Sequence, residues 1–584
     1  MKTIKSGRRK KNILPLFWVF GVLFLPTGIL ICFLTDPTAK LEQNNMLTSC
    51  ETVPLPVFSV PEGIYEQPFT LQIEAPAGYD IYYTTDGSIP SVHSLRYKKP
   101  ITINPRRNLN RSMLGISTSY VWKPPVGKQN HSIVIRARCF KSNTGYGKIK
   151  NTIYSLSTIQ QHQGFNVVHI LMEADSLFCQ KRGIYVRGEK YYSKKAYAND
   201  YKTTEEIMAN ESDILKKWLW AGFPANFLQR GKEWERPAEF ILMNTAGKTL
   251  FEQNIRLRIH GGWSRVTPQK ALRIIPDSIR GDAVFCYRFF DNLPYDCFKR
   301  ILLRISGDDG TMFRDAMIHQ IAKNLGLDIQ DYTPAVVYIN GNYWGIHNIR
   351  ERMDENYLAI KYGADLQSIN ILEYQGDNKL FYGHPESLQS FKELINYIQR
   401  NALIDEKTYQ HVCSQMDIDN FIDYMIVETF FANYDWGTNN MRWYRIDRQT
   451  ETMTQYGVEA GKWRWMLIDM DYSIFTTLNM FERLKNDNKY HQLIVPLFFG
   501  LLENPDFKEK FLTRYKYVIH NYFTSEEILS KTTYFETLYE SEIERHIARW
   551  RQIKSIDSWR GTIEGIKEFA RKRPEIVLEQ LEIL

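Results

Sequence analysis

The spacing of apolar residues changes once along this chain, and that change constrains the fold more than any other feature. Between residues 54 and 305, short stretches alternate apolar and polar residues and are separated by glycine, proline and asparagine, which is typical of β-strands. From residue 311 onward apolar residues follow helical stripes, as in TMFRDAMIHQIAKNLGL, and strands return only at PAVVYINGNYWGIHNIRE and KWRWMLIDMDYSIF. The pattern predicts an α+β protein whose β-rich part precedes a larger helical part.

A chain of 584 residues is too long for one hydrophobic core, so several domains are expected. Regularly spaced short strands from Pro54 to about Leu156 predict a small immunoglobulin-like β-sandwich. The predicted boundaries are a basic segment and membrane anchor at 1–36, a linker at 37–53, the sandwich at 54–157 and a two-lobed domain at 160–584. Its β-rich lobe covers about 160–305 and its helical lobe about 306–584.

The N-terminus combines a basic segment with an apolar one. The first eleven residues carry six Lys or Arg, and the next 24, Asn12 to Thr35, carry no charge. Such a stretch is long enough to cross a hydrocarbon core of about 30 Å. Basic residues before it predict an N-terminus in the cytoplasm and a body outside the cytoplasm, with a signal anchor preferred over a cleaved signal peptide.

The formal net charge of +8 falls to about +2 once the six N-terminal cations are set aside, and the body shows no basic stripe. Nucleic-acid binding is therefore not expected. The seven cysteines contain no CxxC spacing, which argues against a zinc cluster and leaves isolated thiols and disulfides both open.

Two aspartates interrupt the apolar run IDMDYSIF. If this run is a strand, its period of two places Met466, Ile468 and Met470 on an apolar face and both Asp469 and Asp471 on the other. Like charges so close repel each other unless a cation such as Mg²⁺ neutralises them. A strand end with two solvated acids is the alternative.

A second polar group precedes that strand by about thirty residues. NYDWGTNN places Asp435 five residues before Asn440. An Asp, an Asn five residues later and a metal-binding Asp in a later strand are the arrangement that kinases use for phosphoryl transfer. An Asp/Asn-rich turn is the alternative.

The stretch RIHGGWSRVTPQKALRIIP is a candidate phosphate-binding turn. Gly261 and Gly262, followed by Ser264, would let backbone N–H groups approach phosphate oxygens. Lys270, in the next strand, would add a point charge. A plain hairpin turn with an exposed strand lysine is the alternative.

Two resemblances to known families rest on these and neighbouring stretches. IYYTTDGSIPS, at residues 81–91, resembles the YYTxDGxxP signature of the chitobiase/β-hexosaminidase C-terminal module, which implies a non-catalytic appendage. Most of residues 160–584 resembles the CotH kinase family, named after spore coat protein H. The matching segments are RLRIHGGWSRVTPQKALRI, LLRISGDDGTMFRDAMIHQIAKNLGL, VYINGNYWGIHNIRERMDENYL, NYDWGTNN and LIDMDYSIF.

The CotH resemblance implies a divergent protein-kinase-like domain that uses ATP and a divalent metal, Mg²⁺ or Mn²⁺. By position, it implies Lys270 as the phosphate-contacting lysine and Asp435 as the general base. Asn440 becomes a metal ligand or a phosphate-side contact, and either Asp469 or Asp471 becomes the metal-binding Asp. Gly261, Gly262 and Ser264 become nucleotide-side residues, and Glu351 contacts either the nucleotide or an ion-pair partner.

These features together predict a membrane-anchored, extracytoplasmic atypical kinase. Its substrates would be ATP and a Ser/Thr hydroxyl of an envelope or secreted protein, or a glycan hydroxyl. The alternative is a non-catalytic envelope scaffold or carbohydrate-binding protein with a degenerate kinase-like domain. Glycoside hydrolysis ranks last, because Asp469 and Asp471 are too close together to flank a scissile bond.

Overall fold

The structure is a computed structural model that describes residues 53–104, 111–141, 145–156, 162–190, 225–307, 309–487, 490 and 493–584. Within those ranges, no helix has the length and apolar character needed to cross a bilayer. The predicted anchor at residues 1–36 and nearly all of the predicted linker lie outside the described residues.

Twenty-three strands and twelve α-helices are defined within the described ranges. The strands are β1 (Val57–Phe58), β2 (Gly63–Tyr65), β3 (Phe69–Leu71), β4 (Ile73–Glu74), β5 (Asp80–Thr84), β6 (Leu95–Arg96), β7 (Ile101–Ile103), β8 (Ser132–Lys141), β9 (Gly145–Tyr146), β10 (Lys150–Leu156), β11 (Asn166–Leu171), β12 (Arg236–Met243), β13 (Thr249–Ile259), β14 (Leu272–Pro276), β15 (Phe285–Cys286), β16 (Cys297–Phe298), β17 (Ile301–Arg304), β18 (Tyr332–Ile339), β19 (Asn342–Glu351), β20 (Ile369–Tyr374), β21 (Asn378–Tyr382), β22 (Met441–Ile446) and β23 (Arg464–Met466). The helices are α1 (Ala174–Phe178), α2 (Arg314–Ile321), α3 (Glu355–Tyr362), α4 (Pro385–Arg400), α5 (Glu406–Gln415), α6 (Ile418–Phe430), α7 (Glu451–Gln455), α8 (Met480–Asn486), α9 (Ile494–Leu502), α10 (Pro505–Asn521), α11 (Ser525–Trp550) and α12 (Ile556–Glu582).

The first ten strands form the predicted small β-structure. Its largest sheet has the order β2–β10–β8–β5–β6, with β9 added to β8, and two short pairs, β1–β4 and β3–β7, complete it. All its pairings are antiparallel except that of β2 with β10. Along β8, Ile133, Ile135 and Cys139 lie in the core of this module, while Val134 between them belongs to the core of the larger domain. Because successive side chains of a strand point to opposite faces, β8 contributes residues to both cores.

Seven strands of the next part close into a barrel of order β11–β12–β13–β14–β17–β19–β18. Val168, Ile170, Leu257 and Ile274 are among the apolar side chains that form the core of the barrel. Two of the seven strands, β18 and β19, lie beyond residue 305, the predicted end of the β-rich lobe. Helix α2 separates them from β17 in the chain, so the β-rich and helical parts interleave.

The four-stranded sheet of order β21–β20–β22–β23 lies between two cores. One is the large core of the helical part, and the other is a smaller core formed with α3 and α7. Helix α11 begins where Thr524 accepts a hydrogen bond from Glu527 N–H, and this long helix contacts α2, β19 and α12. It thereby connects the barrel to the helical part.

The expected strand over IDMDYSIF is shorter than predicted. Strand β23 ends at Met466, and Asp469 has a left-handed backbone with φ of 55°. The peptide carbonyls of Asp471 and Ser473 accept hydrogen bonds from Arg314 Nη1 at 3.1 Å instead of pairing in a sheet. Side-chain alternation therefore does not decide the direction of the two carboxylates.

The sandwich docks on the barrel through a buried arginine. Arg136, 1% exposed, forms an ion pair with Glu239 of β12 and donates from Nη1 to Gly87 O at 2.6 Å. Gly87 has φ of 85°, and a Cβ there would lie 2.1 Å from Asn340 Oδ1. The Asp86–Gly87 turn of the module signature is therefore a docking element, which explains why glycine is required in it.

Replacing Arg136 with Met should destabilise the protein, because Glu239 would remain largely buried without its cation. We expect the free energy of unfolding to fall by about 3–5 kcal/mol. Urea denaturation measures it. Arg96→Met, which breaks an exposed ion pair with Asp80, is the matched control and should leave the transition unchanged. Equal effects of the two variants would contradict the role assigned to Arg136.

Candidate active site

Three carboxylates from distant parts of the chain converge at the base of the barrel. Asp315 of α2, Asp469 and Asp471 each place an oxygen within 4.8 Å of the others. Arg304, the last residue of β17, lies among them. Its Nη2 is 2.6 Å from Asp469 Oδ1, 3.1 Å from Asp471 Oδ1 and 3.6 Å from Asp315 Oδ1.

Asp315 holds the loop that carries the other two acids. Its Oδ1 accepts a hydrogen bond from Met470 N–H at 2.8 Å, and its Oδ2 accepts one from Arg350 Nη1 at 2.6 Å. Burial alone would raise the pKa of Asp315, but the guanidinium groups of Arg304 and Arg350 hold it well below its ordinary value. Asp315 is therefore an anion that positions the loop.

Asp471 is the least compensated of the three acids. Burial raises its pKa to about 8; Arg304 opposes that shift, and Asp469 and Asp315 add to it. Its Oδ1 is buried 3.1 Å from Arg304 Nη2 but accepts no hydrogen bond. A carboxylate oxygen that lacks a donor and faces two other carboxylates suits a hard divalent cation. The residues present therefore fit the metal that the sequence predicted.

The two predicted motifs, NYDWGTNN and IDMDYSIF, meet in space. Tyr434 N–H donates to Tyr472 O at 2.8 Å, and Asn433 Nδ2 donates to Asp469 O at 3.2 Å. The loop that begins after α6 is thus bonded directly to the loop that carries the metal-site acids.

Asp435 is half-buried in that first loop and is held by two amides. Asn440 Nδ2 donates to its Oδ2 at 2.9 Å, and Asn439 Nδ2 lies 3.3 Å from its Oδ1. Asn440 has a left-handed backbone with φ of 55°, which asparagine tolerates better than most residues. The structure therefore brings Asp435 and Asn440 together as one unit.

The predicted glycine turn lies beside the acid cluster. Gly261 has φ of 102°, and a Cβ there would clash with Ser264 Oγ at 2.2 Å. A Cβ at Gly307 would lie 3.3 Å from Ser264 Cβ and 3.9 Å from Asp471 Oδ2, so Gly307 fills the space between the turn and the acids. Its N–H donates to Asp471 Oδ2 at 3.4 Å.

Lys270 supports this turn from inside the protein. Its ammonium is fully buried, donates to Arg265 O at 2.6 Å and Thr267 O at 2.8 Å, and lies 4.0 Å from the centre of the Phe227 ring. Burial lowers its pKa well below the ordinary value. The predicted phosphate contact of Lys270 would require the ammonium to leave these carbonyls.

Arg273, three residues later, lies on the outer face of β14. It is opposite Arg258 of β13, and its Nη2 is 3.3 Å from His260 Nδ1. Burial lowers its pKa to about 8, and the nearby guanidinium groups of Arg352 and Arg258 lower it further. Its Nε is buried without a hydrogen-bond partner. This cation is suited to an anion supplied from outside the chain.

Glu351 ends β19 and is 2% exposed. Its Oε1 accepts a hydrogen bond from Tyr295 Oη at 2.7 Å, and its Oε2 accepts one from Asp331 N–H at 3.2 Å. Burial raises its pKa to about 7. Both oxygens are thus already engaged within the protein. The predicted nucleotide or ion-pair contact of Glu351 stays a prediction.

Sequence reasoning missed Arg304, Asp315 and Arg273 as site residues. A signal existed for the first: LLRISGDDGTMFRD was matched to a family segment whose charged positions are Arg304, Asp309 and Arg314. All three position the acid loop or the turn before α2. Asp309 Oδ2 accepts a hydrogen bond from Arg314 N–H at 2.8 Å and so holds the turn, and the Arg314 side chain binds carbonyls of the acid loop. Arg273 had a comparable signal, because it is one of the charged positions in the family-like segment RLRIHGGWSRVTPQKALRI.

Replacing Asp471 with Asn should stabilise the metal-free protein, with a gain that grows as pH rises. A carboxyl group whose pKa is raised in the folded state keeps its proton there. Its contribution to the free energy of unfolding is therefore lost as pH increases from about 4 to about 8. We expect a gain of several kcal/mol near pH 8 in urea denaturation with a chelator, because raising a pKa by one unit corresponds to about 1.4 kcal/mol. Exposed Asp377→Asn is the control, and a gain independent of pH would contradict this electrostatic account.

Comparisons with known proteins give two family matches and one structural neighbour. The model of the chitobiase/β-hexosaminidase C-terminal domain matches residues 60–111. A crystal structure of a Helicobacter pylori proinflammatory kinase, CtkA, aligns with 57% of this chain and 92% of its own, at 8% identity and a TM-score of 0.22, too low to bear on the fold. No curated protein matches significantly. The model of the CotH kinase protein matches residues 257–577, more than half of the chain, so this protein belongs to the CotH kinase protein family.

Proposed function

We propose that this protein is an atypical, metal-dependent kinase that transfers a phosphoryl group from ATP to a Ser/Thr hydroxyl of another protein. The observation that carries the proposal is the convergence of Asp469, Asp471 and Asp315 beside the loop of Asp435. Membership of the CotH kinase protein family supports a divergent kinase-like arrangement, with the nucleotide between the barrel and the helical part.

Asp469 and Asp471 are the residues that would hold the divalent metal, Mg²⁺ or Mn²⁺. A metal held there would supply positive charge that offsets the charge of the nucleotide phosphates. Arg304 already supplies one positive charge to these carboxylates, so it would share them with the metal or turn toward the phosphates. Asp315 stays bound to Arg350 and keeps the loop in place.

Asp435 is the proposed general base. The amide donors of Asn439 and Asn440 orient its carboxylate, which is half-exposed and can accept the proton of a substrate hydroxyl. Because the amide nitrogen of Asn440 is used for Asp435, its amide oxygen is the atom that would face the metal. This division matches the roles of the Asp and Asn in a kinase catalytic loop.

Arg273 is the proposed phosphate-contacting cation on β14, in place of Lys270. Arg273 lies opposite Arg258 on the same face of the sheet, and its Nη2 is close to His260 Nδ1. The glycine turn, whose Ser264 lies near Gly307 and Asp471, follows β13 in the same region. Phosphates placed there would meet a guanidinium that forms no ion pair with a carboxylate among the described residues, while Lys270 stabilises the turn from behind.

We also propose that the body of the protein lies outside the cytoplasm and is anchored by residues 12–35. The charge pattern of the first 36 residues supports this placement. Protease treatment of intact cells tests it: digestion of the body supports export, and protection overturns it.

Nucleotide binding tests the kinase proposal. Millimolar ATP with Mg²⁺ should raise the melting temperature of the wild type, and Asp469→Asn and Asp471→Asn should abolish that shift. Asp435→Asn should keep the shift but lower phosphoryl transfer by about 10²–10⁴-fold, the usual contribution of a general base. Asp377→Asn is the control. A wild type that shows no shift would instead favour the non-catalytic scaffold.

The roles of Arg273 and Lys270 can be separated. Arg273→Met should weaken Mg-ATP binding about tenfold or more, the effect of losing one charge-assisted hydrogen bond, with little change in melting temperature. Lys270→Met should lower the melting temperature, because Arg265 O and Thr267 O lose their donor, and should leave the dissociation constant nearly unchanged. The reverse pair of results would restore Lys270 as the phosphate ligand.

A further inference from the structure

A short hairpin outside the acid cluster places two cysteines face to face. Strands β15 and β16 pair antiparallel, and their register sets Cys286 directly opposite Cys297. The two Sγ atoms are 2.8 Å apart. Both thiols are reduced in the structure; Cys286 is exposed and Cys297 is half-buried.

The backbone already has the geometry that a cross-strand disulfide needs. Tyr287 N–H donates to Asp296 O at 2.9 Å in the adjacent rung, so the cysteine rung is the non-hydrogen-bonded kind in an antiparallel alternation. Opposite Cα atoms in such rungs are about 4.5 Å apart, within the range of disulfides. Closing the remaining gap to about 2.05 Å requires only side-chain rotation.

The hairpin is also held firmly on both sides of the cysteines. Phe285 and Phe298, the next rung, are buried in the barrel core at 0% and 4% exposure. At the tip, Arg288 Nη1 donates to Leu293 O at 3.0 Å. The hairpin backbone therefore keeps the two thiols opposite each other, which favours their reaction with each other over reaction with other thiols.

We propose that Cys286 and Cys297 form a redox modification site that closes into an intrachain disulfide by exchange with an oxidised thiol–disulfide couple, such as glutathione disulfide. The inference does not depend on the kinase proposal. It also decides the question that cysteine spacing left open between isolated thiols and disulfides for this pair.

The exchange balances in two steps. The exposed Cys286 loses its proton to solvent, attacks one sulfur of the oxidised couple and releases one reduced thiol, forming a mixed disulfide. Cys297 then loses its proton and attacks Cys286 Sγ, releasing the second reduced thiol. The protein loses two electrons and two protons, which the couple accepts.

Closure would fix a segment that contacts the barrel close to the candidate site. Tyr295, in the same hairpin, donates to Glu351, and the chain after β16 enters β17, whose last residue is Arg304. The disulfide would restrict the hairpin in the unfolded chain as well, and this loop restriction stabilises the folded state.

Peptide mapping tests the proposal on the full-length protein equilibrated with glutathione disulfide or with dithiothreitol. After alkylation of free thiols, the oxidised sample should yield a peptide pair joining Cys286 to Cys297, and dithiothreitol should remove it. Alkylation of both cysteines after oxidation, or joining of either to another cysteine or another chain, would overturn the proposal.

Melting temperature provides the second readout. The oxidised wild type should melt a few degrees above the reduced one, by roughly the shift that a loop of this size provides. Cys286→Ser with Cys297→Ser should remove the difference between oxidised and reduced samples, whereas Cys413→Ser, at a half-buried cysteine elsewhere, should keep it. A difference that survives the double substitution would also refute the assignment.

Discussion

The buried charge of Asp315 is the constraint on which the candidate site depends. This carboxylate is 3% exposed and is compensated by Arg350 of β19, by Arg304 of β17 and by Met470 N–H. Removing any of these partners would leave charge in the interior, which costs several kcal/mol. The barrel, helix α2 and the acid loop therefore have to assemble together.

Arg304 lowers the repulsion within this cluster of carboxylates, which suits the cluster to a metal ion. Three carboxylates within 4.8 Å would repel strongly without a cation, and a guanidinium at their edge lowers that repulsion while leaving Asp471 Oδ1 without a hydrogen bond. A divalent metal ion, which has a higher charge density than a guanidinium, would therefore compensate the charge of the three carboxylates better than Arg304 alone. The same arginine joins the end of a barrel strand to the loop that follows β23.

The sandwich has a structural role that its signature alone did not reveal. Its Asp86–Gly87 turn packs against Asn340 and accepts a hydrogen bond from Arg136 through the Gly87 carbonyl. Since Arg136 also pairs with Glu239, module and barrel share a buried charged contact. Side chains of β8 belong to two cores, so the described parts of the module are built into the larger domain.

The sequence by itself determined the family and predicted Asp435, Asp469 and Asp471 as site acids, because short motifs are local properties; it did not predict that β18 and β19 return to the barrel after α2. Only the tertiary structure decided which cations face these acids. Lys270, just before β14, is fully buried, whereas Arg273 on β14 is only partly buried, and Asp315 meets Met470 across 155 residues. The charge state of Asp471 was likewise decided there, because burial and four neighbouring charged side chains set it and no local pattern encodes them.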